Sequence, residues 1–276
     1  MPESDSVNPV FRLLLIMVLV ASALAPPIAA EQNPAAPGFN AESSDPQAID
    51  IADQVMARLG GRQAWDDTQF ITWSFFGRRR HAWDKYTGDL RVEGVDRETE
   101  EPYLILMNLH TKQGRAWTNG EEVTDPQALE ELLDRGEAAW INDGYWMFMP
   151  YKLKDSGVTL RYLGEREMLD GRAADALQLT FEDVGRTPEN KYHIYVARDS
   201  GLVEQWDFFS NAEDSEPRFQ NPWHNWQPYG AILLSDNRGD GGHTDIAVFT
   251  GLPPEIFTDA GEVDWSSLIA GQGPAE

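Results

Sequence analysis

The stretch NDGYWMFMPYKLKDSG at residues 142–157 carries large apolar side chains at consecutive positions. In an extended strand, alternate residues point to opposite faces. Trp146 and Phe148 would then lie on one face, with Tyr145, Met147, Met149 and Tyr151 on the other. An antiparallel strand that faces water on one side should alternate apolar and polar residues. We therefore predict a strand over 145–149 whose second face is covered by something other than water.

The same pattern recurs in three further segments, FITWSFFG at 70–77, YLILMNLH at 103–110 and VEQWDFF at 203–209. An ordinary, larger core is the commoner explanation, because large aromatic side chains usually fill cores. The alternative is a cavity that holds an apolar ligand, since an empty aromatic cavity would be costly in water. In that alternative, the predicted lining residues are Trp73, Phe75, Leu104, Trp146, Phe148, Trp206 and Phe208.

Two helices are predicted, and both begin with the tetrapeptide DPQA. Asp45 is the expected N-cap of the first, Pro46 suits its first turn, and a Gly-Gly pair at 60–61 ends it. The second helix begins after Asp125, and Gly136 is expected to interrupt or end it. The segment EVDWSSLIA at 262–270 is expected to dock as a short helix through its tryptophan and leucine.

Most of the remaining chain is typical of short strands joined by turns rich in Gly, Asp and Asn. Two helices are too few to alternate with this many strands, so a doubly wound α/β fold is not expected. We predict a mainly β (α+β) fold with an antiparallel sheet and two or more covering helices. The predicted strands cover 68–77, 79–83, 90–95, 103–108, 114–117, 145–149, 159–166, 176–182, 191–197, 203–210, 231–236 and 244–249.

Residues 1–30 are typical of a signal peptide, with an apolar run LLLIMVLVASALA followed by small residues. Cleavage is expected after Ala30, with Ala25 as the alternative site, and an uncleaved membrane anchor is the second possibility. We therefore expect an extracytoplasmic protein, periplasmic or secreted. A flexible linker is predicted over 31–44, one β domain over 45–270 and a disordered tail over 271–276.

Composition excludes several classes of function. A net charge of −24 argues against nucleic acid as a partner. The chain has no cysteine, which excludes disulfides, thiol catalysis and a lipid-modified cysteine. No catalytic or metal-binding motif is present among its scattered histidines and acidic residues, so no catalytic residue, metal or cofactor is predicted. The acidic segment SDNRGDGGHTD at 235–245 lacks the spacing of a Ca²⁺ loop and is predicted to be a hairpin turn.

Two segments have a binding interpretation beside a structural one. In GRRRHAWDK at 77–85, Arg78, Arg79 and Arg80 would hold an anionic headgroup at a cavity mouth, or would pair with acidic residues of the same hairpin. In NPWHNWQPYG at 221–230, the two tryptophans would stack on sugars in an exposed loop, or would plug one end of the sheet. In both cases the structural interpretation is the more frequent outcome.

The chain also resembles a known fold family. A helix ending MARLGGRQAWDD before FITWSFFGRRRHAWDKYTGDLRVE resembles the start of LolA/LolB-type periplasmic lipoprotein carriers. The hairpins LDGRAADALQLTFEDVG and KYHIYVARDSGLVEQWDFF resemble later parts of that fold. INDGYWMFMPYKLKDSGVTLRYLGE resembles a signature of an uncharacterised family of secreted bacterial proteins.

The resemblance spans residues 46–250 and implies a curved antiparallel half-barrel whose cavity accommodates a lipid or acyl chain beneath helices. No individual carrier residue can be placed in this sequence by motif. The expected function is non-enzymatic binding of a hydrophobic ligand, as a carrier or an envelope sensor, with a carbohydrate-binding module as the alternative. The expected partners are a hydrophobic small molecule or lipid and an envelope protein, and the protein is expected to be a monomer.

Overall fold

The computed structural model describes residues 33–271, and β-strands make up the larger part of their regular structure. The predicted signal peptide at 1–30 and nearly all of the predicted tail lie outside the described residues. The strands are β1 (Phe70–Phe75), β2 (Arg79–Asp84), β3 (Asp89–Val95), β4 (Pro102–Asn108), β5 (Gly114–Thr118), β6 (Glu121–Glu122), β7 (Val158–Glu167), β8 (Ala173–Phe181), β9 (Lys191–Ala197), β10 (Val203–Phe209), β11 (Phe219–Pro222), β12 (His224–Tyr229), β13 (Ile232–Asn237) and β14 (His243–Phe249).

These strands form two large sheets and one hairpin, and every pairing between them is antiparallel. The seven-stranded sheet has the order β14-β1-β2-β3-β4-β5-β6, and the five-stranded sheet has the order β11-β10-β9-β8-β7. β12 pairs with β13 alone. Both large sheets are curved and open. The prediction of a mainly β, antiparallel fold with covering helices is confirmed, with the strands divided between two sheets.

The helices within residues 33–271 are α1 (Pro46–Arg58), α2 (Arg62–Asp67), α3 (Pro126–Phe148), α4 (Glu255–Thr258) and α5 (Trp265–Ala270). α1 ends before the predicted Gly-Gly pair, and both of these glycines have positive φ. α2 follows at once and was not predicted. α5 docks through the buried Trp265, as the sequence predicts. None of the helices in the described part of the chain combines the length and the apolar composition that a membrane span requires.

The prediction of a strand over 145–149 is wrong, because this segment is the last part of the long helix α3 and the turn after it. Ala139, Asp143 and Met147 are buried at a spacing of four residues, which is the period of one helix face. The remaining faces are also apolar because this part of the helix is covered on several sides. A buried helix and a buried strand give similar apolar runs, so alternation alone misassigned the segment.

Gly136 does not interrupt α3; it lets the helix approach the seven-stranded sheet. A Cβ atom at this position would lie 3.0 Å from Cγ2 of Ile105 and 3.2 Å from Sδ of Met107, both on β4. Gly144, later on the same helix, differs from Gly136, since a Cβ atom there would meet only the ring of Phe148 at 3.8 Å. The two glycines of the same helix therefore have different structural roles.

This difference predicts opposite effects of substitution. Gly136→Leu should lower the free energy of unfolding by roughly 1–3 kcal/mol, because the added side chain pushes α3 away from β4. Gly144→Ala should leave the stability unchanged or raise it by up to about 1 kcal/mol, because alanine favours the helix. Urea unfolding of both variants measures the effect. Equal stability of the two would show that α3 does not rest closely on β4 at Gly136.

Helices of the chain itself cover both faces of the seven-stranded sheet. On one face, α3 packs on Leu90, Val92 and Ile105 through the leucines of its first turns. On the other face, α4 and α5 pack on Ala82 through Ile256 and Trp265. The main core joins this sheet to the five-stranded sheet, with α1 and the end of α3 packed into it. The apolar side chains on both faces of the strands are thus accounted for by helices.

The segment before α1 is packed against the domain. The Asn33 side chain donates to the Asp53 carboxylate at 2.8 Å, and this carboxylate also pairs with the buried Lys154. The backbone N–H of Asn40 donates to the carbonyl of Val158 at 3.1 Å. The expectation of a flexible linker is therefore wrong for residues 33–44, where a hydrogen-bonded path holds the chain to the start of β7.

Candidate ligand-binding site

Aromatic side chains from both large sheets meet around the last turns of α3. Two of them lie on β1, two on β10, and the others on α3, β9 and β11. We call this set the inter-sheet cluster. Its members are Trp73, Phe75, Tyr145, Trp146, Phe148, Tyr192, Trp206, Phe208 and Phe219.

α3 contributes the side chains that connect one sheet to the other. The Trp146 ring meets the ring of Trp206 edge to face, with 4.7 Å between centroids. It also stacks on Phe219 at 5.6 Å. Phe148 meets the ring of Trp73 edge to face at 5.1 Å. These side chains fill the space between the two sheets, so what covers the second apolar face here is a helix of the same chain.

All of the predicted lining residues except Leu104 belong to this cluster. Trp73 and Trp206 are fully buried, Phe148 is nearly so, and Phe75, Trp146 and Phe208 are half-buried. The assignment of Leu104 to the same surface is wrong. Its neighbour Ile105 faces α3, and because adjacent strand residues alternate, Leu104 lies on the opposite face of the sheet.

A cleft of about 400 Å³ borders the cluster. Its walls are Phe76, residues 220–222 of β11 and residues 238–241 of the loop before β14. Phe76 contacts Phe75 at 4.8 Å and Trp146 at 5.6 Å between ring centroids. The apolar wall of the cleft is therefore in direct contact with the inter-sheet cluster.

The arginines of the basic segment do not gather at this cleft. Arg79 donates to Asp143 of α3 through Nε at 2.8 Å and Nη2 at 2.6 Å. Arg80 points to the opposite face, where it pairs with Asp245 at 2.9 Å. Arg78 is exposed on the turn. The expected partners within the hairpin are therefore wrong, because Arg79 and Arg80 pair with acids on α3 and β14 instead.

A buried polar group joins β2 to α3 beneath the aromatic rings. Burial favours the neutral form of Asp143, but hydrogen bonds from His81 and Arg79 outweigh it and hold the pKa of this carboxyl below its usual value. An ionised carboxylate only accepts, so Nε2 of His81 must donate to it, at 2.7 Å. Burial, together with the charge of Arg79, lowers the pKa of His81. The group is thus neutral overall, with one ion pair and one uncharged imidazole.

Several other buried polar atoms near the cluster have no hydrogen-bond partner within residues 33–271. His243 donates from Nε2 to the carbonyl of Trp146 at 3.1 Å, which leaves its Nδ1 as an unused acceptor. Nδ1 of His81 is unused in the same way. Buried polar groups are usually satisfied, so each exception needs an explanation. The unpaired indole N–H groups are those of Trp73, Trp140, Trp206 and Trp223.

The Asp143–His81 pair has two parts of a hydrolytic triad and lacks the third. In the described residues, no hydroxyl group hydrogen-bonds to the free Nδ1 of His81. Within residues 33–271 there is also no group of three or more His, Asp or Glu side chains that could hold a metal ion.

The acidic side chains of the segment 235–245 point to different partners. Asp236 accepts hydrogen bonds from Asn225, and Asp245 accepts them from Ser74 and Arg80.

The exposed aromatic row required for sugar binding is not formed. Residues 221–230 are largely strand and not loop. Trp223 is fully buried and meets Trp206 edge to face at 5.2 Å. Trp226 is half-buried and donates from its indole N–H to the carbonyl of Val203 at 3.0 Å. These tryptophans close one end of the core, so Trp223 is not available to stack on a sugar.

No protein-family model matches the chain, and no curated protein sequence matches it. Among solved structures, it is similar to a DUF1329 family protein from Desulfovibrio piger, at 15% identity and a TM-score of 0.41, over 78% of this chain and 98% of that one. It is similar to a LolA superfamily protein from Nitrosomonas europaea, at 12% identity and a TM-score of 0.35, over 76% and 96% of the two chains. It is also similar to MucB, at 17% identity and a TM-score of 0.25, over 69% of this chain and 66% of that one. A LolA superfamily protein is thus among the structures that the chain matches, as the sequence resemblance predicts.

Proposed function

We propose that the protein is exported and binds an elongated apolar ligand, such as a lipid or acyl chain, without a chemical step. The ligand would occupy the space between the two sheets that the last turns of α3 fill in this structure. One observation carries the proposal: Trp146 and Phe148 of α3 fill an aromatic space whose walls, Trp73 on β1 and Trp206 on β10, belong to different sheets.

A helix is a covering element that can move without breaking either sheet. If the last turns of α3 moved away, the aromatic faces of β1 and β10 would be uncovered. Exposed apolar surface costs about 25 cal/mol per Å², so an apolar ligand would have to replace the helix. The structure would then be the closed form of the protein, in which the helix occupies the ligand's place.

The cleft beside Phe76 is the proposed entrance. It reaches the cluster through the contact between Phe76 and Trp146, and both side chains are half-buried. The buried N–H groups of Trp73 and Trp206, which have no partner within residues 33–271, would meet polar atoms of a ligand or of water in the open form. The extracytoplasmic location in this proposal rests on the predicted signal peptide. A carrier would pass the ligand to an envelope protein, whereas a sensor would change its affinity for such a protein when the ligand is bound.

Native mass spectrometry of the exported protein, purified from a periplasm without detergent, tests the proposal. We expect a stoichiometric co-purified lipid or acyl species, and uptake of a fluorescent fatty acid once the protein is emptied. Phe208→Ala should weaken this uptake by about tenfold, equivalent to about 1.4 kcal/mol of contact energy.

Phe209→Ala is the matched control, because Phe209 is the next residue on β10 and points away from the cluster, towards His193. It should leave the affinity for the fatty acid unchanged even where it lowers stability. An empty protein that also takes up no fatty acid would refute the proposal. An equal loss of fatty-acid affinity in both variants would show that the ligand does not bind at the inter-sheet cluster.

A further inference from the structure

Arg238 is a buried guanidinium whose bonded partners are all neutral. Its side chain belongs to the loop between β13 and β14, is 1% exposed and lies 3.7 Å above the ring of Trp223. Nη1 donates to the Ser235 hydroxyl at 2.9 Å and to the Asn237 carbonyl at 3.0 Å. Nη2 donates to the carbonyls of Trp146 at 2.8 Å and Ser235 at 3.2 Å.

These four bonds leave one donor over. A guanidinium has five N–H groups, four of them on the two Nη atoms. The remaining Nε–H of Arg238 is buried and has no partner within the described residues. Burial also lowers the pKa of Arg238 well below its usual value.

The other buried arginine of the described chain, Arg91, has a carboxylate partner. Arg91 is 2% exposed, and it pairs with Glu93 in addition to three backbone carbonyls. Within residues 33–271, Arg238 has no ion pair with a carboxylate; Asp236 acts on it only from a distance and is hydrogen-bonded to Asn225. A buried cation without a counter-charge is costly and is normally paired.

Arg238 forms part of the wall of the 400 Å³ cleft, together with Gln220, Asn221 and two glycines of its own loop. We propose that this cleft binds an oxyanion, a carboxylate or a phosphate, which pairs with Arg238. A planar guanidinium suits such a group, because charge-assisted N–H···O bonds to carboxylate and phosphate are the strongest that arginine makes. Gly239 and Gly241 line the cleft without side chains, and a Cβ atom at Gly241 would lie 2.8 Å from the Phe76 ring.

One group in the cleft opposes the anion. Asp240 is exposed and lines the same wall, so its negative charge repels an incoming oxyanion. Removal of the Asp240 charge should therefore strengthen binding of the anion, while loss of the Arg238 charge should weaken it. The oxyanion site does not depend on the apolar ligand proposed above. A free carboxylate or phosphate and the acidic headgroup of an amphiphile would pair with Arg238 in the same way.

Calorimetric titration of the protein with sodium phosphate, decanoate, decyl phosphate and decanol tests the inference. Binding of inorganic phosphate alone would identify a free oxyanion as the ligand. Binding of decanoate and decyl phosphate at least tenfold tighter than decanol, without binding of phosphate, would identify a headgroup. Equal binding of decanol and decanoate, with no phosphate binding, would overturn the oxyanion site while supporting the apolar ligand. Absence of binding by all four would overturn both.

Two variants locate the site. Arg238→Gln should weaken binding of the acidic probe by more than tenfold, with the fold checked by circular dichroism. Asp240→Asn changes an exposed residue, so it keeps the inference testable if the arginine variant does not fold. It should tighten binding of the same probe by roughly three- to tenfold, as expected for removal of a nearby like charge. An unchanged affinity in Asp240→Asn would place the anion elsewhere.

Discussion

Asp143→Ala is expected to lower the free energy of unfolding by about 3–5 kcal/mol. The substitution removes the fully buried carboxylate that holds Arg79 by two hydrogen bonds and His81 by a third. Arg79 then keeps a largely covered positive charge without its partner, and the His81 N–H loses its acceptor. Removing one member of a buried ion pair costs far more than the pair itself contributes, because the remaining charge is uncompensated.

Asp134→Ala provides the matched control for this result. Asp134 lies on the same helix and pairs with Arg186, but its side chain is 62% exposed. Water screens such a pair, so its loss should change the stability by less than about 1 kcal/mol. Both substitutions place alanine in α3, which cancels the difference in helix propensity. Chemical denaturation measures the free energy of unfolding of the two variants. A similar decrease in both would mean that the Asp143 group does not hold α3 to β2.

The stability of the protein is expected to fall steeply as the pH is lowered from 7 towards 4. Burial, with the charge of Arg238 as a second cause, lowers the pKa of His243 from 6.5 to about 3. Burial lowers the pKa of His81 as well. Both histidines are neutral in the folded protein at neutral pH, and the unfolded chain takes up their protons first as the pH falls. The contribution of His243 is therefore complete above the unfolded pKa of 6.5, falls progressively below it, and is fully lost once the pH has fallen through the folded pKa of about 3.

For His243, whose folded pKa is about 3, the expected slope is about 1.4 kcal/mol per pH unit within this window. For His243 alone, the loss between pH 6.5 and 4.5 is about 3 kcal/mol on the same basis. His243→Gln should flatten the dependence of stability on pH over this range. His110→Gln, at an exposed position, should leave the slope unchanged. The account of the buried imidazoles fails if the wild-type protein and His243→Gln lose stability with the same slope.

The β-hairpins were predictable because their signals are local. The alternation of β2, β3 and β4 and the Gly-containing turns between strands depend only on neighbouring residues. α1 was predictable for the same reason, from Pro46 at its start and the glycines after its end. The end of α3 was not, because a segment apolar on every side satisfies the helical and the extended period equally. Gly136 added to the error, because its close approach to β4 is visible only in three dimensions and a glycine in sequence suggests a helix end.

The candidate site was predictable in its chemistry and only partly in its position. Large aromatic residues in strands had to be buried, and Trp73 and Trp206 are fully buried, while their role as ligand-lining residues stays a prediction. The partner of Arg79 could not be found, because Asp143 lies 64 residues away and nothing local marks the pair. Arg238 was missed because its surroundings suggest an exposed turn, and its burial depends on contacts with Trp146 and Trp223 from distant segments.

Hydrogen–deuterium exchange of the exported protein, with and without saturating oleate, tests most directly whether a ligand replaces the end of α3. The account predicts that oleate binds and that the backbone amides of residues 139–148 exchange faster in the complex. The amides of β9 should keep their exchange rate, because both sheets stay intact when the helix moves. Bound oleate with unchanged or slower exchange over 139–148, or no binding of oleate at all, would contradict the proposal that α3 occupies the place of the ligand.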